Sequence, residues 1–424
     1  LPVPEMQAFL GIRFMPGIFI PKTKKEGNMV PGVVFVTGAT GYIGCHMANK
    51  LLKNGYRVVA LAREKDGIPP KQRLVEAISQ VDPSVKITEE NLVTISGCME
   101  ENSDLWLRAI RDQVKSRIDA VWHHAAIFKV YKSCEDEVKT VNIGGVNRML
   151  DFVTRVNGAE EMPRYFHIST AYSNGKSPGG TTLINEEIKD RNTQFRTIYD
   201  WSKHEGECLV QKYQQEYNLD ASILRPSIVV SNTDSKVVIY AAYYHVLMAF
   251  YALRKRAEIS LREDFDGNLD MRALACPHYP VNIIPVDFVV EAMYRISRKP
   301  QLQTKELKIF NIVNEKPPDM DLLIRIVSES LNIRGITLVP KEDFDRQPMS
   351  NLEKLFEKRI TFQAPYAYEH ILFTCDNFRE AVSHKEMPTV QIDEDFLRKI
   401  NKNFLEVHEA NLEKNRGKKF PEKN

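Results

Sequence analysis

The sequence has no CxxC pair, no apolar run reaching the ~18 residues of a membrane span, and almost no net charge. Its six cysteines, Cys45, Cys98, Cys134, Cys208, Cys276 and Cys375, are scattered over 424 residues. That spacing excludes a zinc-ribbon pattern and a dense disulfide framework; it fits reduced thiols and a cytoplasmic location. Lys and Arg number 58 against 56 Asp and Glu, a formal charge of +2, which gives no global case for nucleic-acid binding. The longest apolar stretch, Val237 to Leu253, has 17 residues, four of them tyrosines, with His245 among them. A buried helix of a large domain is the expectation there. The wall of a greasy substrate pocket is the alternative, and a membrane span comes third. Leu1 to Lys25 has no basic leading segment, and Arg13 and Pro16 interrupt its apolar part, so it does not read as a signal peptide. Leu1 in place of Met is expected of a processed product or a piece of a longer chain. Internal repeats and low-complexity tracts are absent.

What is present is a globular composition. With 43% hydrophobic and 27% charged residues, the chain can bury one large core or two ordinary ones. From about residue 33, short β-branched runs alternate with helical stretches: VVFVT (33–37), RVVALAR (57–63), LVTIS (92–96), DAVWHH (119–124), RYFHIST (164–170) and ASILRPSIVV (221–230). Helices are expected around 71–80, 105–115, 135–155 and 199–217. Strands separated by helix-length crossovers predict a parallel sheet covered on both faces. After Val230 the alternation stops. Residues 231–280 read as an inserted helical region, 282–296 as a return to the core with a helix, KIFNIVN (308–314) as a further strand, and 320–415 as mostly helical.

Thr37 to Gly44 reads TGATGYIG, between the first strand and a helix. Gly38, Gly41 and Gly44 permit a tight turn, close backbone approach to a pyrophosphate, and close helix–strand packing. The following helix begins with N–H groups free to meet phosphates. Thr37, Thr40, Tyr42 and Ile43 belong to the same turn. Strand, glycine turn, helix and second strand together predict a dinucleotide site. At the end of the second strand, where an acid receives the ribose hydroxyls of NAD, stands Arg63, with Lys65, Lys71 and Arg73 further on. A guanidinium suits a 2′-phosphate, whereas the adjacent Glu64 suits a ribose. NADP(H) is therefore favoured, and NAD(H) stays open.

Tyr199 and Lys203 in YDWSK are four residues apart and share one helix face. An ammonium beside a phenol is expected to lower the phenol's pKa from about 10 and make it a proton donor near neutrality. Ser169 and Thr170 end the preceding strand, where catalytic hydroxyls of α/β sheets belong. His123 and His124 have no third ligand at metal spacing, and a strand-end pair shaping the cofactor pocket is expected instead. No metal site is expected. Cys98 and Cys208 have no base placed beside them, and Glu186-Glu187 have no assignable role.

TGATGYIG, HHAA (123–126), HISTAYSNG (167–175), YDWSK and LRPSIVV (224–230) together resemble the extended short-chain dehydrogenase/reductase family. VALAR, KQRL (71–74), ISTAY, YxxSKxxxE closing on Glu207 and NIIPVDFVVEA are most similar to its thioester reductase and fatty acyl-CoA reductase branch. The resemblance covers about residues 33–315. It implies that Thr170 orients the substrate carbonyl, Tyr199 donates the proton, Lys203 tunes it, and Asn142 of VNIGG shapes the site. His124, Ala125 and Ala126 would border the cofactor, Arg225, Pro226 and Ser227 the nicotinamide end, and Asp287 would help position the substrate loops. Two departures stand out: Gly97-Cys98 replaces the usual Gly-Asp near the adenine, and Ser231 stands where glycine commonly follows RPSIVV.

The resemblance implies an α/β fold: a Rossmann-type doubly wound parallel sheet with a smaller, mainly helical C-terminal substrate-binding region. The expected organisation is an N-terminal extension (1–30), an NADP-binding domain with the catalytic residues (31–230), a substrate-region insertion (231–280), a return to the core sheet (281–315), the helical C-terminal region (316–415) and a flexible tail (416–424). The expected activity is NADPH-dependent reduction of an acyl thioester, carried on coenzyme A or a carrier protein, to an aldehyde and then, with a second hydride, an alcohol. A ketone or aldehyde reductase or a nucleotide-sugar epimerase or dehydratase is the alternative. A non-catalytic NADP-binding protein is the third.

Overall fold

The structure, a computed structural model, describes residues 32–417 apart from 159–160, 178–179, 191–192, 236 and 362. The extension expected over 1–30 and residues 418–424 of the expected tail lie outside the described residues. Residues 416 and 417 are helical. The strands are β1 (Val33–Thr37), β2 (Arg57–Ala62), β3 (Leu92–Ser96), β4 (Ala120–His123), β5 (Arg164–Ile168), β6 (Thr181–Ile184), β7 (Ala221–Pro226), β8 (Ile228–Val230), β9 (Asn268–Leu274), β10 (Ile283–Pro285), β11 (Lys308–Ile312), β12 (Arg334–Val339) and β13 (His370–Phe373).

Seven of them make one parallel sheet in the order β11-β7-β5-β4-β1-β2-β3. Their β-branched and aromatic side chains alternate between two apolar layers, which is why both sides of the sheet are dry. Val34, Val36 and Trp122 join a core with the helices Tyr42–Lys53, Pro70–Val81 and Val286–Arg298. Phe35, Val59, Val121 and Tyr165 join the opposite core with Ser103–Gln113, Gly144–Arg155 and Ile198–Tyr217. Trp122 of β4 stacks on Phe166 of β5 with ring centroids 4.2 Å apart, tying the centre of the sheet across neighbouring strands. The doubly wound Rossmann-type fold is therefore present. Strand order reverses at β1, between β2 and β4, which opens a crevice at the carboxyl ends of β1 and β4.

A third core lies beyond the sheet. Tyr244, Leu247 and Phe250 pack with Leu323 and Val327 of helix Met320–Ser330, Phe356 of helix Asn351–Ile360, and Leu397 and Phe404 of the final helix. Here the structure departs from the sequence reading. The 231–280 segment is not wholly helical, because after helix Tyr243–Leu261 it forms β9, which pairs in parallel with β12. β6 pairs with β13 in the same way, and neither partner was anticipated. These two-stranded ribbons join segments 65 to 189 residues apart in register pairs such as Ile336–Met271 and His370–Thr181. Local propensity carries little information about such pairs, since each strand is short and gains its stability from a remote neighbour. The helix expected over 135–155 is also interrupted, with a π-helical turn at Lys139–Ile143.

Candidate active site

The glycine turn is shaped by close approach. Gly38 has φ +68°, and a Cβ there would lie 2.7 Å from the Ala125 nitrogen; at Gly44 a Cβ would lie 2.2 Å from the Gly38 carbonyl oxygen. Both contacts are far inside van der Waals distance, so neither position accepts a side chain. Helix Tyr42–Lys53 starts at Gly41 with no side-chain cap and no acid in its first turn. Helices Ser103–Gln113, Ile198–Tyr217 and Met320–Ser330 are instead capped by Asn102, Thr197 and Asp319. An uncapped, acid-free N-terminus at the switch point suits a pyrophosphate.

β4 supplies the facing wall. The Thr37 hydroxyl accepts the Ala125 N–H at 3.2 Å and lies 2.8 Å from His123 Nδ1. Burial, reinforced by the charge of Lys203, holds His123 and His124 down at about 3, so both rings are neutral. His124, Ala125 and Ala126 thus follow β4 against the glycine turn, at the crevice. At the far end of β2, Arg63 is exposed, and its carbonyl accepts Arg73 Nη1 at 2.5 Å; Arg73 Nη2 reaches the Thr40 hydroxyl at 3.5 Å. The Arg73 guanidinium therefore stands between the end of β2 and the glycine turn.

Asn142 sits in the π-helical turn, the kind of local irregularity that often marks a functional position. Its Oδ1 accepts the Ile127 N–H at 2.8 Å, while its Nδ2 donates to the Ile127 carbonyl at 3.1 Å and to Ser202 Oγ at 2.9 Å. It ties the segment after β4 to the Ile198–Tyr217 helix. On that helix Lys203 is buried and donates from Nζ to the Ile168 carbonyl at 2.5 Å. Burial lowers its pKa to about 8, opposed by Glu207. Tyr199 is not lowered as expected. Burial, with Asp200 beside it, raises the phenol above its ordinary value. The physical reason is loss of hydration on burial, with the Asp200 carboxylate further disfavouring a phenolate beside it; the Lys203 ammonium is directed at the Ile168 carbonyl. Phe128 lies edge-on to Tyr199 at 4.8 Å while remaining 47% exposed.

Tyr42, Ile43, Ser169, Thr170, Tyr199, Pro226 and Ser227 line one cavity of about 280 Å3. From these groups it runs on between apolar side chains of the third core, including Val246, Leu323, Ile324, Leu338, Phe356 and Ile360. Among the described residues no Lys or Arg lines it. The apolar 237–253 stretch does two things: Ile239, Tyr243 and Val246 face the cavity, while Tyr244, Leu247 and Phe250 pack. Among the described residues no helix is long and apolar enough to cross a membrane.

Arg225 does not join the site. It is fully buried in an ion pair with Glu207 (Nη2–Oε2 2.5 Å, Nε–Oε1 2.9 Å) and also donates to Asn174 Oδ1 and the Asn185 and Glu187 carbonyls. Burial pushes the Glu207 carboxyl up, but the guanidinium wins and holds it below its ordinary value. The reading of Arg225 as bordering the nicotinamide is corrected on that geometry; Pro226 and Ser227 do face the cavity. Asp287 is an exposed first-turn residue bonded to the Phe288 N–H, away from the cavity lining. Glu186 accepts the N–H groups of Asn311, Asn377 and Phe378, so it joins β11 to helix Asp376–Ala381. Ser231 hydrogen-bonds the Tyr244 hydroxyl, which explains a side chain where glycine was expected.

Sequence reasoning missed Asp200, Tyr366 and Gln363, all of which line the cavity. Tyr366 donates to Asp200 Oδ2 at 2.5 Å and lies under the Arg196 guanidinium at 5.7 Å, with Arg196 in turn paired to Glu369. Burial raises Asp200 from 3.8 to about 7, against the lowering effects of Tyr366 and Arg196. Asp200 was legible only as the residue after Tyr199. Nothing local marks Tyr366 or Gln363.

The male sterility protein family profile matches residues 36–293. Among curated proteins, the chain is similar to fatty acyl-CoA reductase 1 of Xenopus laevis, 24% identical over 226 residues, covering 46% of this chain and 43% of that protein. It is also similar to an uncharacterized protein of Schizosaccharomyces pombe, 27% identical over 202 residues, covering 46% of this chain and 18% of that protein. The chain spans less than half the length of either relative. Among solved structures, the terminal R domain from the myxalamid PKS-NRPS biosynthetic pathway superposes with a TM-score of 0.69 at 15% identity, over 91% of this chain and 92% of that one. The UDP-glucuronic acid 4-epimerase from Bacillus cereus, in complex with NAD, gives 0.59 at 16%, over 89% and 99%. At such identities the likeness is one of fold.

Proposed function

The chain belongs to the male sterility protein family, of the extended short-chain dehydrogenase/reductase class, and from that premise we propose that it is a nicotinamide-dependent oxidoreductase that reduces acyl thioesters with NADPH. The uncapped glycine turn would hold the pyrophosphate, and Arg63 with Arg73 the 2′-phosphate. When bound, the nicotinamide supplies a hydride to the carbonyl carbon. Thr170 and Tyr199 would meet the carbonyl oxygen, donating hydrogen bonds to the charge that develops there. Burial keeps Tyr199 protonated, so the phenol arrives at the reaction with a proton to give. Lys203, charged below about pH 8, stabilises the phenolate left behind. Asn142 positions the catalytic helix through Ser202. Collapse of the tetrahedral adduct would expel the thiol and leave an aldehyde; a second hydride and proton would give the alcohol.

The observation that carries this reading is the cavity, which begins at Thr170 and Tyr199 and continues between apolar side chains. An acyl chain gains roughly 0.8 kcal/mol per methylene buried in such a wall. A nucleotide sugar is the weaker fit, because its second diphosphate would find no Lys or Arg among the described residues of the lining. NADPH oxidation, followed by absorbance with acyl-CoA thioesters, carrier-bound acyl groups, simple aldehydes and UDP-sugars, tests the choice. Turnover of thioesters rising with chain length is expected. Turnover of aldehydes or UDP-sugars with none of any thioester would sink it.

A further inference from the structure

The cavity is apolar but not uniformly so. Gln363 lines it, and both the oxygen and the nitrogen of its amide are buried without a hydrogen-bond partner among the described residues. A buried amide with neither valence met costs on the order of 1–3 kcal/mol per group. A side chain of this kind at a purely hydrocarbon wall would be a defect that Leu or Met would remove. Its backbone is well held: Gln363 N–H donates to the Ile360 carbonyl at 2.8 Å, and its carbonyl accepts the Tyr366 N–H at 2.9 Å. The amide therefore stands one turn from Tyr366, whose hydroxyl is committed to Asp200. These three residues make a polar strip among the apolar lining.

The chemistry of the strip narrows the ligand. Among the described residues neither Lys nor Arg lines the cavity, and Arg196 behind the strip is committed to Glu369 and the Gly175 carbonyl, so an anionic group finds no counterion among them. Asp200 adds an acid, which disfavours a second carboxylate. An unpaired amide offers one donor side and one acceptor side. The smallest neutral group that both gives and takes a hydrogen bond is a hydroxyl.

We propose that Gln363, flanked by the Tyr366–Asp200 couple, is a binding subsite for a hydroxyl carried on the acyl chain, so that the preferred substrates are hydroxylated acyl thioesters. This rests on the acyl-thioester reading of the same cavity. The hydroxyl lies within the chain, apart from the carbonyl that Thr170 and Tyr199 address.

The test compares dodecanoyl-CoA with its 3-, 6- and 12-hydroxy counterparts, measuring both equilibrium binding to the intact chain and NADPH-dependent turnover. At least one hydroxylated isomer should bind about tenfold more tightly than the plain chain, as expected of one or two neutral hydrogen bonds made to an otherwise unpaired amide. Gln363→Leu should erase that difference, the hydroxylated isomers falling to the affinity of the plain chain measured on the same variant. Gln363→Met, nearly isosteric, repeats the measurement should the leucine variant fold poorly. Absence of any preference in the wild type, or a preference that survives both substitutions, overturns the proposal. If preference is seen without NADPH oxidation, the subsite stands and the reductase reading falls. If all four thioesters are reduced alike, the reductase reading stands and the subsite falls.

Discussion

The glycine-turn end and the apolar-cavity end of this molecule are built by opposite means. At the glycine-turn end, backbone does most of the work: Gly38 and Gly44 are required because a Cβ would collide with neighbouring main chain, and helix Tyr42–Lys53 is left without a side-chain cap. At the cavity end, side chains from helices Tyr243–Leu261, Met320–Ser330 and Asn351–Ile360 and from strands β9 and β12 converge on one cavity. A backbone-built site tolerates little variation and leaves a compact motif. A side-chain-built site can be relined residue by residue, and leaves none. Helix Ile198–Tyr217 is shared by both, with Lys203 toward the sheet and Tyr199 and Asp200 at the cavity.

The comparison is broken most directly on that shared helix. Tyr199→Phe should lower turnover about 10²–10⁴-fold, the usual worth of a positioned proton donor, with dinucleotide binding and the thermal midpoint near wild type. Equal loss of dinucleotide binding would place Tyr199 at the glycine-turn end alone. Arg225→Leu leaves Glu207 charged and unpaired inside the protein, a loss of about 3–5 kcal/mol. Thermal unfolding should show a midpoint lower by roughly 5–10 °C. A variant of unchanged stability but weakened dinucleotide affinity would return Arg225 to the cofactor site.

Smaller effects separate the two ends. Ile324→Phe should cut activity on long acyl chains about tenfold or more, at roughly fourfold per displaced methylene, and spare short ones; a uniform loss across chain lengths would argue that the cavity does not hold the chain. Arg63→Ala with Arg73→Ala should raise the KM for NADPH roughly tenfold relative to NADH, since these groups are exposed and partly screened. Equal effects on both dinucleotides would remove the 2′-phosphate from their charge. Smallest is the pH effect of Asp200. Its carboxyl is raised from 3.8 to about 7, so the folded state prefers it protonated. That contribution is fully present below 3.8 and is lost as pH rises through about 7. Asp200→Asn should therefore gain thermal stability relative to wild type between pH 5 and pH 8, and a flat difference would contradict the burial argument.

The same contrast explains what could be read in advance. The parallel sheet was legible because each of its strands is a short apolar run with turn residues at both ends, and the dinucleotide turn because three glycines fall between a strand and a helix. The places of Thr170 at a strand end and of Tyr199 and Lys203 on one helix followed from spacing on those elements. Arg225 was misplaced because a sequence places a residue at the end of a strand but does not tell which way its side chain is claimed; Glu207, 18 residues earlier, claims it. Tyr366 and Gln363 were invisible because their partners or surroundings lie far away in the chain, Tyr366 bonding to Asp200 across 166 residues. The strands β9 and β12 escaped for the same reason.

The central claim is that hydride transfer at Tyr199 releases a thiol from an acyl chain held in the cavity. Titration of free coenzyme A during NADPH oxidation with a long-chain acyl-CoA tests it most directly. One thiol released for every one NADPH consumed, or for every two where reduction runs on to the alcohol, is the result expected. NADPH oxidation without thiol release, or thiol release independent of NADPH, would contradict it.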